Sequence, residues 1–317
     1  MGYSLLLQLK KLPHNFTVLI PFQNFALELE KELERKNIKI IFKHSQIIVV
    51  AASAKAFTDT YLWAQDTWSD CQCVQGYDDG LLALKNLDRL GYYYSIEKNP
   101  LATKLIHKLK LIPEKRIKFP VKKEFSFKYY IWTAVEDFII YSAHPKSRYP
   151  VGWHEFEEDK SHPPNRAYLK LWEVLATQNL VIDPAESAIE IGASPGGWSW
   201  VLSQYFKTVY TFDRADLDPK IQKISNIVHA KTDAFKIDPK DYTNCSWFFS
   251  DLICSPEKIY ETIQYWLDHS QIRNFVCTIK FKGQTDYEVI DKLRKIPDSK
   301  LVRLYQNKHE VTWIKLE

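Results

Sequence analysis

The clearest fold signal in the chain lies in Glu190-Ile191-Gly192-Ala193-Ser194-Pro195-Gly196-Gly197-Trp198, where an apolar strand runs into a glycine-rich turn. Glycines after a strand let the backbone pass close to a ligand, and the helix that follows offers unpaired N–H groups. A dinucleotide site requires the spacing G-x-G-x-x-G. Here three residues, one of them proline, separate Gly192 from Gly196. The turn therefore does not favour a nicotinamide cofactor.

On both sides of this turn, predicted strands alternate with predicted helices. The strands fall at 188–191, 209–212, 227–230, 247–250, 275–279, 301–306 and 311–316, and helices at 198–205, 256–269 and 286–295. Repeated βα units predict a mostly parallel, doubly wound α/β sheet of the Rossmann type, whose ligands bind beyond the carboxyl ends of the strands. Asp213, Asp251 and Lys280 each follow or end such a strand. We expect the chemistry at this edge.

The part of the chain before this sheet has a different pattern. Residues 145–166 are dense in proline and charge, which predicts a linker between a domain over 1–144 and a domain over 167–317. In the first of these, a strand at 16–22, a helix at 25–35 and a hairpin over 38–51 predict the start of a smaller α+β, ferredoxin-like domain. A basic helix at 101–111 and a strand at 129–141 are expected to follow.

Composition narrows the class of protein. The 317 residues carry a formal net charge of +4, with 26% charged and 45% hydrophobic residues, as in ordinary folded domains. No apolar run approaches the ~20 residues that cross a bilayer, and no signal peptide stands out. The five cysteines are scattered, and Cys71 and Cys73 lack metal spacing. We expect a cytoplasmic protein with no membrane contact and no required metal.

Positive charge is concentrated between residues 104 and 128, which contain nine Lys or Arg and only two Glu. Aromatic residues are interleaved with these cations and follow them. Cations interleaved with stacking rings are typical of nucleic-acid binding. A solvated helix face followed by a strand in the core would give the same pattern, and this alternative stays open. The candidate RNA-binding residues are Lys104, Lys108, Lys115, Arg116, Lys118, Lys122 and Lys123.

Several segments of the chain, the glycine turn among them, match the motifs of one protein family in the same order. In chain order they are Ala167-Tyr168-Leu169-Lys170-Leu171, the glycine turn itself, Phe212-Asp213, Thr232-Asp233, Ser250-Asp251, Thr278-Ile279-Lys280 and the segment from Leu304 to Thr312. Together they resemble the FtsJ-like S-adenosylmethionine-dependent RNA 2′-O-ribose methyltransferases, over residues 150–317. The resemblance implies a Rossmann-like methyltransferase domain, S-adenosylmethionine as cofactor and RNA, above all large-subunit ribosomal RNA, as substrate.

The family uses a Lys-Asp-Lys-Glu tetrad, which the resemblance places at Lys170, Asp251, Lys280 and Glu310. It implies that Lys280 is the base and that the other three position and tune it. The chemistry is consistent, because a ribose hydroxyl is a weak acid that needs an acceptor, and a lysine accepts a proton only when burial or another cation lowers its pKa. Strand alternation gives Lys282 the same face as Lys280, and only the family pattern selects between them.

The expected cofactor site combines the glycine turn with the acids at the strand ends. Asp213 is placed to accept the hydroxyls of the cofactor ribose, and the resemblance assigns the adenine contact to Asp233. A side chain on Gly196 or Gly197 is expected to occupy the space of the cofactor. The complete set is Gly192, Ser194, Pro195, Gly196, Gly197, Trp198, Asp213, Asp233 and Asp251.

Three other functions compete with this prediction. The segment from Asp251 to Pro256 is similar to the element of RNA cytosine-C5 methyltransferases in which a cysteine attacks the base, with Cys254 as nucleophile but Ile253 in place of proline. An RNA-binding protein with a vestigial methyltransferase fold and a small-molecule methyltransferase are the others. Family members that modify ribosomal RNA have a longer N-terminal region with a THUMP module, so we expect that module to be shortened or absent in residues 1–144.

Overall fold

The structure is a computed structural model that describes residues 2–44, 46–52, 61–121 and 128–317. It divides the chain into two compact units. The first is Met1–Arg116 with Lys122–Glu155, and the second is Ile117–Val121 with Phe156–Glu317. The division of the chain into domains over 1–144 and 167–317 with a linker between them stays a prediction.

The first unit is an α+β structure built on one sheet. Its elements are α1 (Gly2–Lys10), β1 (Phe16–Pro21), α2 (Ala26–Arg35), β2 (Ile40–His44), β3 (Ile47–Ala51), β4 (Ala64–Gln75), α3 (Tyr77–Lys85), β5 (Leu90–Tyr93), α4 (Pro100–Ile106), β6 (Tyr129–Val135), β7 (Phe138–Ser142) and β8 (His144–Pro145). The strands lie in the order β2-β3-β1-β4-β7-β6-β5, and β8 pairs with β4.

The first half of this sheet has the pairings of a split βαβ unit. Strand β1 lies antiparallel between β3 and β4, and β2 pairs antiparallel with β3. The second helix of such a unit would fall in the segment 53–60, which lies outside the described residues. The ferredoxin-like assignment therefore stays a prediction.

Two elements of the first unit differ from the prediction. The single strand expected over 129–141 is wrong, because Glu136 adopts a positive φ of 53° and turns the chain from β6 into its antiparallel neighbour β7. Both strands are buried along their whole length, so the apolar pattern gave no sign of the turn. The helix expected to Leu111 ends at Ile106, because the following chain pairs with Gly91 of β5 instead.

The second unit carries the alternating elements. They are α5 (Tyr168–Thr177), β9 (Ser187–Ile191), α6 (Gly197–Leu202), β10 (Thr208–Asp213), α7 (Pro219–Gln222), β11 (Ile227–Lys231), β12 (Cys245–Ser250), α8 (Pro256–His269), β13 (Asn274–Lys280), α9 (Tyr287–Arg294), β14 (Ser299–Val302) and β15 (Glu310–Lys315). The strand order is β11-β10-β9-β12-β13-β15-β14.

The doubly wound α/β prediction is confirmed by this order. Strands β9 to β13 run parallel, and β15 lies antiparallel between β13 and β14. The chain moves outward from β9 to β11 and then crosses to β12 on the other side of β9. Ligands of such sheets bind beyond the carboxyl ends of the strands where the order reverses. That crevice opens next to the glycine turn that follows β9.

The core of the second unit is strongly aromatic. Trp247 stacks on Phe249 with ring centroids 5.7 Å apart. Phe119, from the segment 117–121, stacks on Trp172 at 4.5 Å, and Phe156 packs against the edge of the same indole. These contacts explain why the segment 117–121 belongs to the second unit, although it precedes the rest of that unit in the chain.

Candidate active site

A cleft of about 510 Å³ lies at the carboxyl ends of β9, β10, β11 and β12. Its volume falls within the range of roughly 300–1,000 Å³ that is typical of small-molecule sites. The expected cofactor residues that line it are Gly192, Ser194, Pro195, Gly197, Trp198, Asp213, Asp233 and Asp251. Gly196 is not among the lining residues.

The glycines of the turn are required by contacts within the protein. A Cβ on Gly196 would lie 2.8 Å from the side chain of Ile221, and one on Gly197 would lie 2.1 Å from Oδ1 of Asn165. Gly196 also has a φ of 110°, which side chains rarely adopt. A side chain at either position would therefore meet the protein itself, and the expectation that it would also fill cofactor space stays a prediction.

Two carboxylates stand at the mouth of the cleft. Asp213, at the end of β10, accepts hydrogen bonds from the backbone N–H groups of Ser194 (3.1 Å) and Ala215 (2.9 Å), and so ties the glycine turn to the next loop. Asp233, after β11, accepts a hydrogen bond of 2.6 Å from the guanidinium of Arg214. This bond lowers the pKa of the Asp233 carboxyl below its ordinary value. Both side chains line the cleft and have carboxyl oxygens that can accept hydrogen bonds.

The four predicted tetrad residues come together at one wall of the cleft. Lys170, in the first turn of α5, donates to both oxygens of Asp251 at 2.8 and 3.0 Å and pairs with Oε1 of Glu310 at 2.9 Å. Lys280 lies 3.1 Å from Oδ1 of Asp251 and donates to its backbone carbonyl at 2.6 Å. Because Lys280 and Glu310 face each other across β13 and β15, the sheet register fixes both.

The two lysines differ in environment. Burial works against the charged form of Lys170, yet the carboxylates of Asp251 and Glu310 outweigh it and hold the pKa of Lys170 above its ordinary value. Lys170 therefore keeps its proton and cannot serve as a base. Asp251 and Lys280 line the cleft, and Lys280 is the more exposed lysine, with 20% of its side chain accessible against 10% for Lys170.

The alternative residues Lys282 and Cys254 do not have the properties that their proposed roles require. Strand β13 ends at Lys280, so the alternation that placed Lys282 on the same face does not reach it, and Lys282 is exposed. Burial raises the pKa of the Cys254 thiol, with Lys280 only partly opposing the effect. Since the thiolate is the nucleophile, a raised pKa disfavours the cytosine-C5 mechanism.

Sequence reasoning missed several residues that line the cleft, namely Asn165, Glu190, Phe235 and Ile253. Glu190 is fully buried on β9 and accepts a hydrogen bond of 2.5 Å from the hydroxyl of Ser199. Burial raises the pKa of Glu190 to about 8. The position of Glu190 directly before the glycine turn could have assigned it to the site. Asn165 lies in a proline-rich loop without a recognisable motif, so nothing in the sequence indicated it.

We expect Glu190→Gln to gain stability over the wild type as pH rises. The Glu190 pKa of about 8 in the folded state exceeds its ordinary value of 4.5. Between these values an unfolded chain loses the proton and the folded one keeps it, so the wild type loses stability as pH rises through this window. Glutamine does not titrate. Urea unfolding should show a relative gain of up to ~4 kcal/mol from about pH 5 to about pH 8, and a pH-independent difference would contradict the raised pKa.

The described cations between residues 104 and 128 fall into two groups, those in an ion pair with a glutamate and those without an ion pair. Arg116 pairs with Glu155 at 2.9 Å and Lys118 with Glu157 at 3.8 Å. Of the predicted RNA-binding residues, Lys104, Lys108 and Lys115 are exposed and have no ion pair to any described residue. Lys122 and Lys123 lie outside the described residues.

The glycine turn, the strand-end acids and three of the four cluster residues lie in a region that one family model covers. Residues 163–296 match the FtsJ-like methyltransferase family. The match confirms the resemblance drawn from the sequence, and it spans Lys170, Asp251 and Lys280 but stops before Glu310. Together with the strand order, the match supports a Rossmann-like methyltransferase fold for the second unit.

Curated relatives agree with the family match. The chain is 28% identical over 176 residues to ribosomal RNA large subunit methyltransferase M of Halorhodospira halophila, covering 53% of this chain and 51% of that protein. The protein of the same name from Methylococcus capsulatus is 26% identical over 164 residues, covering 47% of this chain and 46% of its own length. The chain thus spans about half the length of the curated relatives it matches.

The described residues contain neither a membrane-spanning helix nor a cluster of metal-ligating side chains. Among them, no helix is long and apolar enough to cross a membrane. Nor does this part of the chain contain a group of three or more His, Cys, Asp or Glu that could hold a metal ion.

Proposed function

We propose that this protein transfers a methyl group from S-adenosylmethionine to a ribose 2′-hydroxyl of RNA, specifically large-subunit ribosomal RNA. The observation that carries the proposal is the cluster at the cleft wall, where Lys170 is clamped by Asp251 and Glu310 and Lys280 contacts the same aspartate. A cluster with two lysines and two carboxylates is close to neutral and can handle one proton beside a bound substrate.

The residues of the cleft fit the cofactor. Asp213 and Asp233 offer carboxylate oxygens to ribose hydroxyls and to an exocyclic amine, and the turn from Gly192 to Gly197 brings backbone close to the space between them. When bound, S-adenosylmethionine supplies an electrophilic methyl group on a sulfonium centre, which leaves as the neutral thioether.

Lys280 is the proton acceptor in this proposal. With S-adenosylmethionine held in the cleft, its methyl group would pass to the ribose oxygen as the C–S bond breaks, and Nζ of Lys280 would accept the hydroxyl proton. Lys170 and Lys280 both approach Oδ1 of Asp251, at 2.8 and 3.1 Å. Lys170 is also held by a second carboxylate, Glu310, whereas Lys280 lines the cleft, so we assign the acceptor role to Lys280.

The proposed substrate rests on the curated relatives, which are named as methyltransferases of large-subunit ribosomal RNA. In this proposal the first unit, whose opening we assign as ferredoxin-like, presents RNA to the FtsJ-like domain. Mapping of 2′-O-methyl sites in total RNA, from cells that make the protein and from cells that lack it, tests the substrate. We expect one or a few large-subunit positions to lose methylation, and an unchanged map would contradict the proposal.

A vestigial methyltransferase fold that only binds RNA is distinguished by cofactor titration. The intact cluster argues against this alternative, since an inactive protein does not need Lys170 and Lys280 on one carboxylate. Calorimetry should detect S-adenosylmethionine binding to the full chain. Absence of binding would favour the vestigial alternative.

We expect the exposed, unpaired lysines to contribute most to RNA affinity. Replacing Lys104, Lys108 and Lys115 together with glutamine should weaken RNA binding similarly for all sequences, because phosphate contacts carry no sequence information. The salt slope of log K should fall by roughly 0.7 to 0.9 per lost contact. Fluorescence anisotropy at several salt concentrations measures both. The control is Arg116→Gln with Lys118→Gln, whose charges already face Glu155 and Glu157.

The control variant should change the slope less than the triple variant does. If neither variant changes affinity or salt dependence, the segment from Lys104 to Lys118 is only a solvated surface.

A further inference from the structure

The segment that delivers Glu310 to the cluster is not a strand along its whole length. The chain leaves the sheet after Val302 and returns at Glu310. The prediction of a strand through Gln306 is wrong, because the N–H groups of Tyr305 and Gln306 bond to a side chain rather than to a neighbouring strand. We call residues 303–309 the Glu310 loop.

That side chain is Glu173, on the same helix as Lys170. Its Oε1 accepts from the N–H of Tyr305 at 2.8 Å and its Oε2 from the N–H of Gln306 at 3.2 Å. Glu173 is only 3% exposed. Residues three apart share a helix face, so Glu173 and Lys170 lie on one face of α5. Glu173 binds the middle of the Glu310 loop, and Lys170 binds Glu310, the residue that follows the loop.

Contacts within the loop connect its middle to Glu310. The guanidinium of Arg303 donates to the carbonyls of Asn307 and Lys308, both at 2.9 Å. The N–H of Lys308 lies 3.3 Å from Oε1 of Glu310, and Nδ2 of Asn307 lies 3.3 Å from the carbonyl of Glu310. A displacement at Tyr305 is therefore passed to the carboxylate that clamps Lys170.

Burial disfavours an acidic side chain and raises the pKa of Glu173 to about 8, so an apolar side chain would be the cheaper way to pack against the loop. What the carboxyl group adds is two acceptors in fixed positions. We propose that Glu173 is a positioning residue for methyl transfer, acting through the Glu310 loop on the contact between Glu310 and Lys170. The inference rests on the proposed function, because it assigns a role within that reaction.

Glu173→Gln tests the role with little change in volume. The amide keeps one acceptor and turns an NH₂ group towards a backbone N–H, so one of the two loop anchors is lost. We expect the single-turnover rate to fall about 10- to 100-fold, as for a small misplacement of a catalytic group. Affinities for S-adenosylmethionine and RNA should stay within about twofold, because Glu173 does not line the cleft.

Glu32 provides a matched control in the first unit. It is 2% exposed and accepts from two consecutive backbone N–H groups, those of Leu62 and Trp63, both at 3.1 Å. Glu32→Gln makes the same chemical change away from the cluster, and we expect it to leave the single-turnover rate within about twofold of wild type. A purely structural role for Glu173 predicts the same small effect for both variants.

A double variant shows whether Glu173 acts through Glu310. If it does, Glu173→Gln should lower the rate by less than about twofold when added to Glu310→Gln, since coupled residues are not additive. If the wild type is active but Glu173→Gln leaves the rate unchanged, the inference fails and the proposed function stands. The same holds if the losses of rate from Glu173→Gln and Glu310→Gln are additive. A wild type that transfers no methyl group to RNA overturns the proposed function and the inference together.

Discussion

Replacing Lys280 by alanine should lower the single-turnover rate of methyl transfer by at least ~10²-fold, the lower end for loss of a positioned base. The affinities for S-adenosylmethionine and RNA should change only a few-fold, because Asp213, Asp233 and the glycine turn remain in place. Lys280→Arg should not restore the rate, since a guanidinium stays protonated and cannot accept the proton. Rapid-quench measurement with saturating cofactor separates the chemical step from binding.

Lys282→Ala is the matched control for this substitution. Lys282 is the other lysine of the same segment, but it is exposed and follows the end of β13. We expect its removal to change the rate by less than about threefold. If Lys280→Ala keeps near-normal turnover while Cys254→Ala is inactive, the ribose mechanism is wrong and the cytosine-C5 mechanism replaces it.

Replacing Asp213 by asparagine should weaken S-adenosylmethionine binding about 10- to 100-fold. Its carboxylate accepts from the N–H groups of Ser194 and Ala215, one at each oxygen, and an amide can accept at only one of these positions. In the proposed complex the same carboxyl group accepts from the ribose hydroxyls of the cofactor, and a hydrogen bond to a charged group contributes about 1.5–3 kcal/mol, which corresponds to this range of affinity. Calorimetric titration measures the change in Kd.

The control for this variant lies three residues along the same loop. Asp216 is exposed and pairs with Lys231 at 2.6 Å. Asp216→Asn removes the same charge near the cleft, yet it should change the Kd by less than about threefold. Equal effects of the two variants would mean that Asp213 contributes only charge. No effect at Asp213 would remove it from the cofactor site.

The sequence predicted the second unit well because local and long-range signals coincide there. Strands β9, β10, β12 and β13 are apolar runs that end in Ile191, Asp213, Ser250 and Lys280. Parallel strands bring such ends to one edge, so the Asp251 and Lys280 contact follows from topology alone. Lys170 lies outside the sheet, and only the family pattern connected it to Asp251.

Sequence reasoning failed where tertiary contacts override the local pattern. A helical spacing of three separates Lys170 from Glu173, but nothing in the sequence indicates that Glu173 holds the backbone of Tyr305 and Gln306. Similarly, β4 has the mixed sequence AQDTWSDCQCVQ, and it was missed because its pairing with β1 and β7, rather than alternation, defines it. Gly196 and Gly197 lie in the turn as predicted, but nothing in the sequence indicated that Ile221 and Asn165 also leave no room for a side chain there.

The central claim is that this cluster methylates a ribose hydroxyl of RNA. The most direct measurement incubates the full chain with large-subunit ribosomal RNA and S-adenosylmethionine labelled in its methyl group, digests the RNA to nucleosides and identifies the labelled product by mass spectrometry. We predict label in a single 2′-O-methylnucleoside with wild type and a rate at least ~10²-fold lower with Lys280→Ala. Label in 5-methylcytidine, or equal labelling by the two proteins, would contradict the account.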